Sequence, residues 1–200
     1  PSKTFRQLRT YSRRFVKMQG MITRVAQEME RILEVCNIRI TSLMSNNHGV
    51  SIQKVIEKII AGQDTVEELA CCIHGRTLNA KGELIRLSLD GTVEEHHRFT
   101  LSLVYDQYKL FQQQAQVLEI KMEELCYEHY SREMELLISI PGIGKKAAMQ
   151  IISETGGEMK AFTDSGKLTG WAGLRPRNDE SAGKFKSKAI THGNKYLSRI

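Results

Sequence analysis

Apolar residues recur along the first stretch of the chain at alternating spacings of three and four: Leu8, Tyr11, Phe15, Met18, Ile22, Val25, Met29, Ile32 and Cys36. That rhythm is the a/d seam of a coiled coil and predicts one long helix, with Arg6, Arg9, Arg13, Arg14, Lys17, Arg24 and Arg31 lying off the seam. The same spacing returns in Leu101, Val104, Tyr108, Phe111, Ala115, Leu118, Met122, Leu125 and His129 and predicts a second long helix. Neither helix can hide its stripe alone. The two therefore pair with each other antiparallel or with a second chain, in a coiled coil or in an ordinary bundle. Between the seams, Val50 to Ala61 reads as a helix stopping before Gly62, Asp64-Thr65-Val66-Glu67-Glu68 as a helix start, and Leu78 to Leu89 as a helix ending near Asp90-Gly91. One short strand is conceivable, around Leu84 to Leu87, and the expected fold class is all-α: a long helical coiled coil with a small helical insertion.

The final third has a different texture. Ile140-Pro141-Gly142-Ile143-Gly144 is a glycine hairpin that opens a helix beginning Lys145-Lys146, the pattern of a helix-hairpin-helix. Glycines ahead of a helix leave its unpaired N–H groups open to a phosphate, and the helix dipole adds positive potential there. Farther on, the loop from Leu174 to Lys188 sets Ser181 among five cations, Arg175, Arg177, Lys184, Lys186 and Lys188. Asn194 to Ile200 reads as the start of one more helix. The expected domains are a coiled-coil and helical linker over 1–135 and a carboxyl-terminal domain over 136–200. The chain begins at Pro1 and stops within that last expected helix, so it is expected to be a truncated piece of a longer protein.

Charge sharpens the picture. Residues 1–40 hold nine Lys/Arg against three Asp/Glu, residues 41–140 nine against fifteen, and residues 141–200 eleven against five. An acidic middle thus lies between two basic blocks. Concentrated cations displace the counterions of a phosphate backbone, so DNA is the expected partner and binding should weaken steeply with salt. Contacts of this kind grip a backbone without reading bases. The candidate DNA-binding residues are Gly142, Gly144, Lys145, Lys146, Arg175, Arg177, Lys184, Lys186 and Lys188.

A serine hydroxyl attacks phosphorus only where a base, a metal or nearby cations favour its alkoxide and the charge growing on the phosphoryl oxygens. The five cations around Ser181 supply that help, and Gly183 lets a phosphate come close. Asp179 and Glu180 either accept the proton or cap a turn, and Ser187 competes for the role. The six histidines lack zinc spacing: His96 and His97 are adjacent, His129 falls on the seam as a packed residue, and His48, His74 and His192 are isolated. No metal site is expected here. Cys36, Cys71, Cys72 and Cys126 form no CxxC pair and read as free buried thiols. With no membrane-length apolar run and no signal peptide, a soluble cytoplasmic protein is expected.

Ordered motifs carry a family resemblance from Phe5 to Ile200. Asn46-Asn47-His48-Gly49-Val50-Ser51, Glu67-Glu68-Leu69-Ala70, His74-Gly75-Arg76 and Glu95-His96-His97-Arg98-Phe99 are similar to the coiled-coil region of the IS-one-ten family of insertion-sequence transposases. The glycine hairpin, Trp171-Ala172-Gly173-Leu174-Arg175-Pro176-Arg177, Ser181-Ala182-Gly183-Lys184 and Ile190-Thr191-His192-Gly193-Asn194 resemble its carboxyl-terminal transposase domain. The resemblance implies a bridge-RNA-guided, serine-nucleophile DNA recombinase, with Ser181 as nucleophile. It also implies an amino-terminal RuvC-like domain, absent from this chain, whose four acids hold Mg2+. It further implies DNA as substrate, a guide RNA as a further partner and a homo-oligomer joined through the coiled coil. In that reading the parent is a transposase of the bacterial cytoplasm, and this fragment alone is inactive. Two other readings stay open: a non-enzymatic helix-hairpin-helix module that only holds DNA, and a pure assembly protein built on the coiled coil.

Overall fold

A computed structural model describes residues 2–44, 49–157, 159–176, 179–181, 184–187 and 189–200, with backbone alone at 160, 179–181 and 184–187. The chain forms two compact units, one of residues 18–113 and one of residues 1–17 with 114–200. Helix α1 (Lys3–Val35) and helix α5 (Glu95–His129) each contribute to both. The fold is all-α, with one short antiparallel ribbon among the described residues.

In the 18–113 unit, α1 and α5 enclose three short helices, α2 (Val50–Ile60), α3 (Val66–Ala70) and α4 (Gly75–Leu89), around one core. Val25, Ala26, Met29 and Leu33 of α1 meet Ile52, Ile56 and Ile59 of α2, Leu69, Ile85, Leu89, and Leu101, Val104 and Tyr108 of α5. Thr65 and Glu68 form the capping box their spacing suggests: the Thr65 hydroxyl accepts from the Glu68 N–H at 3.3 Å, and the Thr65 N–H donates to the Glu68 carboxylate at 3.2 Å. Arg98 donates to the Ile59 carbonyl at the end of α2 and to Asp64, 2.9 and 2.8 Å away, pinning the α2–α3 connection. The stretch Leu84 to Leu87, a strand candidate by alternation, lies inside α4. Ile85 is buried there while Leu84 and Leu87 stay exposed, because a helix turns successive residues about 100° apart.

Both seams drift. In α1 the buried positions after Met18 are Val25, Ala26, Met29 and Leu33, with Ile22 and Ile32 only partly buried. In α5, Cys126 is fully buried, whereas the His129 side chain, expected to pack, is 40% exposed beside Glu128. A straight helix advances 3.6 residues per turn, so its buried face slides off a strict seven-residue repeat over several turns.

The other unit adds α6 (Ser131–Ile138), α7 (Lys145–Thr155), α8 (Ser165–Ala172), strands β1 (Asp179–Ser181) and β2 (Lys184–Ser187), and a 3-10 turn at Leu197–Arg199. Phe5, Leu8, Phe15, Met122, Cys126, Met134, Met149 and Ile152 are buried in it. Where a helix start was expected at 194–200, the backbone makes only the 3-10 turn at Leu197–Arg199. The Asn194 side-chain oxygen accepts from the Tyr196 and Leu197 N–H groups, which ties the backbone into a turn.

The thiols divide. Cys36 and Cys126 are buried, but Cys71, the residue capping the end of short α3, is exposed, and Cys72 is partly buried. Burial pushes the Cys126 thiol up to about 12, and also raises Cys36 and Cys72. Titration of the native protein with a disulfide reagent at neutral pH should therefore modify Cys71 first. Cys36 and Cys126 should react only on unfolding, and rapid native labelling of Cys126 would contradict this packing.

Candidate nucleic-acid interface

Helix α6 stops at Ile138, and a turn closed by the Ile143 N–H on the Ile140 carbonyl at 3.1 Å leads into α7. Gly142 has φ +92, a left-handed conformation that costs any residue with a Cβ. Gly144 caps α7 in ordinary extended geometry, φ −84 and ψ 170, with no side chain on the free amides. The first helical bond runs from Ala148 to the Gly144 carbonyl, so the amides of Lys145, Lys146 and Ala147 have no acceptor within the helix. A Cβ at either glycine would meet nothing within 4 Å among the described residues, so the mouth of the helix is open.

The two lysines at that mouth do not simply point to solvent. Lys145 makes a short contact with Glu123 of α5, and Lys146 lies 2.9 Å from Glu119. Their side chains are 43% and 63% exposed, so both pairs are weak and a phosphate can displace them. At the entrance, then, the backbone supplies the uncompensated positive potential.

Where a loop is expected after Leu174, the backbone forms a ribbon. Ser181 pairs with Lys184 and Glu180 with Phe185, and the register shifts between Asp179 and Glu180. Ser181 thus ends β1, directly across from Lys184, with Lys186 in the partner strand. Arg177 and Lys188 lie outside the described residues, as do the side chains of Ser181, Lys184 and Lys186. Arg175 is exposed, and its carbonyl accepts from the Thr191 N–H at 2.9 Å.

The ribbon has a closed stem. Pro176 bridges Ile190, the Asn194 N–H donates to the Trp171 carbonyl at 2.9 Å, and Gly193 presses so closely on Gly173 that any Cβ at Gly193 would collide with backbone. Below the stem is a polar node absent from the sequence reading. The Glu154 side chain, 1% exposed at the end of α7, accepts Arg13 Nε at 2.9 Å on Oε1, and Arg13 Nη2 at 3.0 Å and Asn194 Nδ2 at 2.7 Å on Oε2. Arg9 donates to the Ser153 and Glu154 carbonyls at 3.2 and 2.8 Å, satisfying acceptors that a helix end leaves free. Burial alone would raise the Glu154 carboxyl. The hydrogen bonds from Arg13 and Asn194 and the charges of Arg13 and Arg9 outweigh it and hold the group below the usual carboxylate range.

Leu136, Ile143, Ile151, Leu168, Ala172 and Leu174 line an open apolar groove of about 740 Å³ that reaches both Gly142 and the start of the ribbon stem. Among the described residues no three of His, Cys, Asp and Glu converge to hold a metal ion. No helix among them is long and apolar enough to cross a membrane.

Residues 134–200, a third of the chain, match the family model described as Transposase IS116/IS110/IS902 family. The matched segment runs from α6 to the end of the chain and holds the glycine turn, α7, the ribbon and its stem. No curated protein and no solved structure matches the chain.

Proposed function

We propose that residues 134–200 are the DNA-gripping and strand-joining part of an insertion-sequence transposase, with Ser181 as the nucleophile. The observation that carries this reading is the match of that segment, in which Ser181 ends a short ribbon strand, to the description of a transposase family. The open start of α7 holds a backbone phosphate through its amides. Arg175, Arg177, Lys184, Lys186 and Lys188 neutralise the strand around Ser181. The serine oxygen bonds to phosphorus as the bond from phosphorus to a deoxyribose oxygen breaks; the hydroxyl proton leaves to a base, and the departing oxygen takes a proton. The phosphodiester count is conserved, so a second strand can reverse the step without a nucleoside triphosphate.

The acids that hold Mg2+ belong, in this reading, to the amino-terminal domain that the family resemblance implies. A guide RNA and self-association through α1 and α5 complete the proposed partnership.

Binding is tested by fluorescence anisotropy of labelled DNA with the 200-residue chain across a salt series. Affinity should fall as a steep power of salt concentration, by a log–log slope of about 0.9 per duplex phosphate neutralised. Gly144→Val is the sharpest probe of the α7 mouth, since its extended backbone accepts valine without left-handed strain and the added methyls stand where the phosphate would. The variant should keep its helical circular dichroism and bind roughly 10- to 100-fold more weakly, the effect of losing one or two hydrogen bonds to a charged group. Wild-type affinity in Gly144→Val would remove α7 from the interface.

A further inference from the structure

Beside the ribbon stem lies an open cleft of about 480 Å³ bordered by Arg13, Trp171, His192, Asn194, Lys195 and Tyr196. We infer that this cleft is a subsite for one unpaired nucleotide of a single DNA strand, its base stacked on Trp171 and its phosphate held by Lys195, His192 and the outer edge of Arg13. The inference rests on the DNA-handling reading above and adds to it a place for an unstacked base.

Size, charge and shape each point the same way. The volume falls within the range of small-ligand sites, about 300–1,000 Å³. Lys195 and His192 are exposed, and neither forms a salt bridge among the described residues, unlike Lys145 and Lys146 at the α7 mouth. Arg13 commits Nε and Nη2 to Glu154, so the buried acid is neutralised from beneath and the exposed Lys195 is left as the cation of the cleft. That favours an anion.

Trp171 supplies the other half. Its ring leans on Phe162, centroids 5.4 Å apart and planes tilted 53°, and the residue is still 38% exposed. A supported, part-exposed indole offers a stacking surface that every base can use. Gly170, where a Cβ would meet nothing within 4 Å, leaves the approach clear. A duplex keeps its bases stacked on each other, so the occupant must be unpaired. Pro176, which closes the stem, is separated from Ser181 by at most about 18 Å of extended backbone, so a strand anchored here can run along the ribbon toward the serine.

Trp171 is the only tryptophan in the chain, so its emission reports this cleft alone. The 200-residue protein is titrated with a ten-nucleotide single-stranded DNA while Trp171 emission and label anisotropy are followed together. Quenching should track binding, and an abasic or fully duplex oligonucleotide should bind with much less quenching. Trp171→Ala should weaken single-strand binding roughly 5- to 100-fold. Lys195→Ala, at an exposed position that leaves the stem intact, should lower the log–log salt slope by about 0.7. Salt-sensitive DNA binding with unchanged Trp171 emission and no effect of Lys195→Ala would overturn the cleft and leave the DNA reading standing, as would equal quenching by duplex. No salt-sensitive binding to any DNA would overturn both.

Discussion

Under the proposed function, Ser181→Ala is expected to abolish strand exchange, by at least about 10³-fold in a recombination assay, because no second atom can take over a covalent step. DNA binding should change by less than about tenfold, since one neutral hydroxyl contributes at most a single modest hydrogen bond. That split separates a nucleophile from a contact residue. Ser187→Ala provides the control. Ser187 pairs with Asp179 at the other end of the ribbon, past the register shift, whereas Ser181 faces Lys184 beside the connection. Recombination within about threefold of wild type is expected for Ser187→Ala, and a reversed pattern would move the nucleophile to Ser187. Full activity in Ser181→Ala would favour a module that only holds DNA.

The second large effect concerns stability. Arg13→Ala removes the bidentate partner of a carboxylate that is 1% exposed and leaves it with Asn194 and a more distant Arg9, 3.9 Å away. Breaking a fully buried pair costs about 3–5 kcal/mol, and the 41% exposure of the Arg13 side chain reduces this to about 2–3 kcal/mol. In a chain of this length that is a fall in Tm of roughly 5–10 °C, measured by thermal unfolding followed by circular dichroism. Arg13→Met combined with Glu154→Met should recover much of the loss, because the uncompensated charge is gone. The pH dependence has a definite sign. The folded Glu154 carboxyl is held below its unfolded value, so its contribution is complete above the ordinary carboxylate range, about 4.3 for glutamate. It is lost as pH falls through the lower folded value. Glu154→Gln should flatten that acid limb, and an unchanged acid limb or a Tm shift under 1 °C for Arg13→Ala would contradict the node.

Much of the fold could be read locally. The apolar spacing from Leu8 to Cys36 and from Leu101 to Met122 marks α1 and α5, and Thr65 with Glu68 three residues on marks the start of α3. What failed was decided over longer distances. His129 continues a seven-residue count but lies where the helix face has already turned away. Leu84 to Leu87 is too short for its alternation to tell strand from helix, and packing of Ile85 in the core settles it.

The candidate site divides in the same way. The glycine turn and the cations near Ser181 are contiguous and legible, although pairing of residues 179–181 with 184–187 came as a ribbon where a loop was expected. Lys145 and Lys146 read as bare phosphate contacts because the acids that hold them lie more than twenty residues earlier, on α5. Arg13 and Glu154 are 141 residues apart, and Glu154 and Asn194 are 40 apart, so no spacing could have joined them. The hint available was chemical: a lone acid at the end of a helix and arginines off an apolar seam each need a partner.

A covalent bond between the Ser181 oxygen and DNA phosphorus is the proposed step on which the rest depends, and its direct test is chemical. The recombination-competent protein is trapped on a DNA substrate whose released strand cannot rejoin, then digested with nuclease and protease, and the adduct is located by tandem mass spectrometry. A nucleotide in phosphodiester linkage to Ser181 is the predicted result. An adduct on another residue, or strand exchange that proceeds with no protein adduct at all, would contradict it.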